Sequence, residues 1–179
     1  ILATDRVIIY FSGHGGGAPF GLRFSDGDVD FDCFCAIVDR LSAQAKVFIL
    51  DCCYAGNSNI PSIETAHPST NKKYPSIDLF DYVQSGHALF ASSNGENPSL
   101  RHPEKNVSLY TYCFSQALCQ TRIRNGKLSL IDVAKYAAHE VTRIATNYGR
   151  KDQHPIYKCQ IPDGVQFQVT EEKMIEAIY

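Results

Sequence analysis

The sequence predicts an α/β protein, a mostly parallel sheet flanked by helices on both faces. Residues 7–12 and 47–51 are continuous apolar runs, the mark of strands covered on both faces, and such strands are usually parallel. Between them, Phe34, Ile37, Val38 and Leu41 fall at helical spacing within residues 31–41, enough for the crossover helix that a parallel pair requires. A third apolar run at residues 87–91 ends in Ser92, Ser93, Asn94, Gly95 and Glu96. In open α/β sheets ligands gather at the carboxyl ends of the strands, so the three following loops are expected to share one cleft.

Two helices are expected next, at 109–120 and 130–147. Ser129 is the N-cap of the second, and Ile131, Ala134, Ala138, Val141 and Ala145 are its buried stripe. Residues 156–160 and 165–169 read as strands, and 171–178 as a short helix. At 179 residues and 44% hydrophobic content, the chain can bury one core, so residues 1–179 form a single domain. Residues 57–85, rich in Ser, Asn, Pro and Lys without an apolar period, read as a flexible loop insertion.

Composition narrows the function. With 17 Lys and Arg against 19 Asp and Glu, no general attraction to nucleic acid or to acidic membranes is expected. No run approaches the roughly 20 apolar residues of a membrane span, and no signal-peptide pattern opens the chain. Seven cysteines, without CxxC pairing, favour neither a disulfide framework nor a zinc site. A reducing cytoplasm is the expected location.

The chemistry-bearing residues lie at two strand ends. Phe11-Ser12-Gly13-His14-Gly15-Gly16-Gly17 sets one histidine among glycines after the first apolar run, and Asp51-Cys52-Cys53-Tyr54-Ala55-Gly56 follows the second. A thiol nucleophile and an imidazole base require such a pair. Neighbouring residues at a strand end point to opposite sides, so one cysteine faces the cleft. Cys53, at the turn that Gly56 permits, is the candidate nucleophile, and Cys52 packs inward. His14 is the candidate base, and a backbone N–H at the turn can hold an oxyanion.

These two motifs together resemble the caspase-like peptidases, in particular metacaspases and their prokaryotic relatives. The resemblance extends through Ala91-Ser92-Ser93, through Ser108-Leu109-Tyr110-Thr111-Tyr112 opening a helix, and to Gln153-His154-Pro155. It implies a caspase-hemoglobinase fold and endopeptidase activity on protein or peptide substrates through a Cys53/His14 dyad and an acyl-enzyme. The oxyanion would face the N–H groups of Gly15 and Cys53, and no cofactor is needed. In that fold the histidine strand follows a further strand and helix. Here it starts near residue 1, so the first strand and helix are expected to be lacking and to be supplied by an upstream segment or domain.

Metacaspase-type relatives cleave after Arg or Lys, and Asp51 matches an acidic pocket position by motif. Glu96 is a second candidate carboxylate, and Ser92 a candidate for the pocket wall. A buried carboxylate gains a charge-assisted hydrogen bond from a cationic substrate and repels an anionic one. A structural role for Asp51, holding the cysteine turn through backbone N–H groups, stays open beside the pocket role. Lys72 and Lys73 are candidates for self-cleavage. The acidic run at 26–32 fails the calcium-loop pattern, because Phe31 stands at the glycine position and Ile37 at the glutamate position, so no metal site is assigned. Its acids read as a solvated turn with an N-cap at Asp30 or Asp32. The alternatives are a catalytically silent caspase-like interaction module, and the same dyad with Asp or Asn specificity.

Overall fold

The computed structural model describes residues 1–16, 20–56, 86–94, 97–149, 153–162 and 164–168. Its elements are β1 (Arg6–Ser12), β2 (His14–Gly16), β3 (Gly21–Phe24), β4 (Gly27–Asp30), α1 (Phe31–Asp39), β5 (Ala45–Asp51) and β6 (His87–Ala91). Then come α2 (Leu109–Gln120), β7 (Lys127–Ser129), α3 (Leu130–Asn147), β8 (Ile156–Cys159) and β9 (Gln166–Gln168). The main sheet has the order β1-β5-β6-β8; β1, β5 and β6 run parallel, and β8 is antiparallel to β6.

Helices cover this sheet on two sides, as period-two alternation along β5 and β6 dictates. Val47, Ile49, Ala88 and Phe90 pack in one cluster with Tyr110 and Phe114 of α2 and Val133, Ala137 and Val141 of α3. Phe48, Leu50, Leu89 and Ala91 pack in the other with Leu22 of β3 and Phe31, Cys35 and Val38 of α1. Each large apolar side chain removed from water contributes roughly 1.5–3 kcal/mol.

Three expectations need correction. Strand β1 is not covered on both faces: Ile8 is 45% and Tyr10 51% exposed, whereas every residue of β5 and β6 is buried. An edge strand with an uncovered face does not bury its apolar alternates. The buried stripe of α3 runs through Leu130, Val133, Ala134, Ala137, Val141 and Ala145; Ile131 and Ala138 are half-buried flanks, because the helix is turned by about one position. The acidic run belongs to a hairpin, β3 with β4, joined to β2 in a three-stranded sheet. Strands of three or four residues, interrupted by Gly and Asp, leave no periodic signal to find. Asp30 is the N-cap of α1, but its side chain makes no capping hydrogen bond.

Ser108 and Ser129 do cap α2 and α3, accepting from the N–H groups of Thr111 and Asp132. The strand expected at 165–169 is β9, which pairs with β7 outside the main sheet. The insertion at 57–85 and the helix at 171–178 lie outside the described residues.

Candidate active site

The register between β1 and β5 brings the two motifs together. Ser12 pairs with Asp51 across the parallel ladder, and the Gly13 N–H donates to the Asp51 carbonyl at 3.1 Å. The ladder ends there, two residues before His14 on one chain and two before Cys53 on the other, and His14 goes on to pair with Arg23 of β3. Gly15 then lies directly on the cysteine turn. A Cβ there would fall 2.7 Å from Cys52 Sγ and 2.8 Å from the Cys53 carbonyl oxygen, closer than such atoms approach, so only glycine fits. His14 is exposed and Cys53 half-buried. Among the described residues no hydrogen bond joins them; the Cys53 thiol donates to the Ser99 carbonyl at 3.8 Å.

The two cysteines separate physically. Alternation sends Asp51 toward α2, as its hydrogen bonds to the start of that helix show, and Cys52 toward the α1 side, where it packs with Leu50 and Ala55 at 1% exposure. Burial pushes the Cys52 thiol far above the ordinary range, with the negative charges of Asp51 and then Cys53 adding to it. A thiol held neutral is a poor nucleophile. Cys53 stands at the turn instead, before Tyr54, whose φ of 59° is left-handed. A tyrosine there carries conformational strain of about 1–2 kcal/mol, offset in part by its N–H bonding to the Asn97 carbonyl at 3.1 Å.

The turn is therefore made at Tyr54, not at Gly56. Gly56 is needed for close approach: a Cβ would meet Ile156 Cδ1 at 2.3 Å and the Ser93 carbonyl at 2.9 Å, where Gly56 bridges to Asn94.

Asp51 is 2% exposed and accepts from the Ser99 hydroxyl at 2.9 Å, the Thr111 N–H at 3.1 Å, and the hydroxyls of Ser108 and Thr111. It thus sits on the N-terminus of α2, where backbone amides favour a carboxylate. Its donors are α2 and the 99 segment rather than N–H groups of the cysteine turn. Tyr10, at the end of β1, reaches the same network through the Thr111 hydroxyl at 2.5 Å. Among the described residues no cation pairs with Asp51. Ser92 and Ser93 are fully buried, and both donate to the Cys52 carbonyl, at 3.1 and 3.3 Å. Ser92, directly after β6, thus braces the cysteine turn, its hydroxyl committed to that backbone oxygen.

Sequence reasoning gave no role to Ser99, Thr111 or Gln153. Ser108 was legible as the opening of a helix, and Thr111, three residues on, belongs to its capping signal. Gln153 entered only within the Gln153-His154-Pro155 stretch of the resemblance and without a role, since its partners are distant in the chain. Glu96, Lys72 and Lys73 lie outside the described residues, as does Gly17. Among the described residues no group of three or more His, Cys, Asp or Glu is placed to hold a metal ion, and no helix is long and apolar enough to cross a membrane.

Residues 3–165 match the family model described as caspase domain. Solved structures similar to the chain include caspase-1 from Spodoptera frugiperda, at 12% identity and a TM-score of 0.48, covering 86% of this chain and 58% of that one. Pro-sf-caspase-1 is similar at 12% identity and a TM-score of 0.47, covering 89% of this chain and 62% of that one. The chain thus spans about three-fifths of the length of these structures. No curated protein matches it by sequence.

Proposed function

The chain belongs to the caspase domain family, and from that premise we propose that it is a cysteine endopeptidase in which His14 and Cys53 form the catalytic dyad. The observation that supports the reading is that the segments carrying the two residues leave the carboxyl ends of the adjacent parallel strands β1 and β5 and meet where Gly15 abuts the cysteine turn.

In the proposed reaction the Cys53 proton moves to the His14 imidazole as the sulfur adds to the scissile carbonyl carbon. The N–H groups of Gly15 and Cys53 hold the oxyanion. Collapse breaks the C–N bond, the amine leaves with the proton from His14, and water activated by the same imidazole hydrolyses the thioester. The resting thiol donates to the Ser99 carbonyl, so a modest rotation toward His14 precedes attack.

We assign basic specificity, Arg or Lys before the scissile bond. Asp51 supports it as a buried anion whose described partners are all neutral donors. A guanidinium or ammonium reaching this network would be drawn by its charge. Ser92 and Glu96 remain our candidates for the surrounding wall, and Lys72 and Lys73 our candidates for self-cleavage, with a cytoplasmic setting. The outer edge and exposed Ile8 and Tyr10 of β1 support a further strand and helix from an upstream segment.

A panel of fluorogenic peptides differing only at the residue before the bond tests this reading. Cleavage confined to Arg and Lys peptides is the expected result. Preference for Asp or Asn would overturn the specificity, and no cleavage of any peptide would overturn the enzyme.

A further inference from the structure

We propose that Gln153 is a positioning residue for this reaction, clamping the backbone wall that faces the Cys53 thiol; the inference rests on Cys53 being the nucleophile. Gln153 is fully buried, and among the described residues every hydrogen bond its amide makes goes to the loop between β6 and α2. Its Oε1 accepts from the Leu100 N–H at 2.9 Å, and its Nε2 donates to the Ser92 carbonyl at 2.9 Å and to the Ser99 hydroxyl at 3.3 Å. The partners fix the amide orientation, since Leu100 offers a donor and Ser92 an acceptor.

Those three bonds tie both ends of one segment. Ser92 is its start, where the hydroxyl braces the Cys52 carbonyl; Ser99 and Leu100 are its end, where the Ser99 carbonyl takes the Cys53 thiol hydrogen. Ser99 Oγ in turn donates to Asp51, so one hydroxyl links the Gln153 amide to the buried carboxylate. A glutamine at strand distance from the motifs thereby sets the gap into which a substrate carbonyl must fit. A buried polar group is costly unless fully paired, and the described bonds of this one all go to the wall opposite the nucleophile. Displacement of such a wall by about 1 Å is enough to slow a reaction roughly 100-fold.

The test reads Cys53 directly. The full chain is treated with limiting iodoacetamide, and labelling of Cys53 is compared by peptide mass mapping with that of Cys33 and Cys119, which are exposed and serve as internal references. Gln153→Met removes the amide at similar volume. With the wall released, Cys53 labelling should rise about threefold or more relative to Cys119, and kcat for Arg peptides should fall more than KM rises. Ser99→Ala should give part of the same rise, and the double variant less than the sum of the two. An unchanged Cys53-to-Cys119 ratio in folded Gln153→Met overturns the proposal. Should Gln153→Met fail to fold by circular dichroism, Ser99→Ala decides: a raised ratio supports the clamp and an unchanged one rejects it. If the wild type cleaves no peptide, the enzymatic reading fails while the labelling ratio still reports on the clamp.

Discussion

The turn after β5 is braced by side chains from the interior, whereas the turn after β1 leads from the edge of the main sheet into the small sheet of β2, β3 and β4. Cys52 and Cys53 follow a strand buried along its whole length; Ser92 and Ser93 hold the Cys52 carbonyl and Asn97 holds the Tyr54 N–H, with Asp51 anchored on α2 just before them. His14 follows a strand whose alternate residues are exposed. It is located by one ladder bond from Gly13, by its antiparallel pairing with Arg23 of β3 and by the fit of Gly15 against the cysteines. The proposed nucleophile is thus positioned by the interior, and the proposed base by backbone contacts at the rim. That difference suits the proposed reaction, in which the Cys53 thiol rests on the Ser99 carbonyl and turns to the imidazole when substrate enters.

The comparison breaks most sharply at the reacting groups. Cys53→Ala should lower kcat by roughly 10⁴-fold or more with an unchanged melting curve, while Cys52→Ala should keep most activity; the reverse pattern in peptide hydrolysis would exchange their roles. The raised Cys52 thiol also predicts resistance to alkylation at neutral and mildly alkaline pH, which mass mapping checks. Next in size is the glycine seat: Gly15→Ala forces a methyl against Cys52 Sγ and should cost about 100-fold in kcat/KM, with a smaller loss of stability.

The anchor of the cysteine turn comes third. Asp51→Asn keeps the shape but loses the charge and swaps an acceptor for a donor among hydroxyls and an N–H. Cleavage of Arg peptides should fall about 10- to 100-fold through KM, and a lowered Tm would measure its structural share. The smallest effect concerns backbone strain at the turn. Tyr54→Gly should relieve the left-handed conformation and stabilise by up to about 1 kcal/mol, whereas Tyr54→Val should destabilise; equal Tm values for the two would remove strain as a feature of this turn.

The architecture was legible where burial is symmetric. Continuous apolar runs announced β5 and β6, the helical spacing announced α1, and Ser108 and Ser129 marked the starts of α2 and α3. Strand β1 looked the same in sequence, yet it is an edge, because composition does not record which strands find a neighbour. The β2–β3–β4 hairpin escaped notice since short strands of Gly and Asp have no period to read. Within the candidate site, the meeting of the His14 and Cys53 turns was legible from their glycines and strand ends. The bracing network of Ser99, Thr111 and Gln153 was not, since it is assembled from residues that only the fold brings together.

The central claim is tested most directly by an electrophilic peptide ketone ending in Arg, followed by mass mapping of the labelled residue. The account predicts one label, on Cys53, formed at a rate that falls about 100-fold or more in His14→Ala. Label on another cysteine, or Cys53 labelling undiminished without His14, would contradict it.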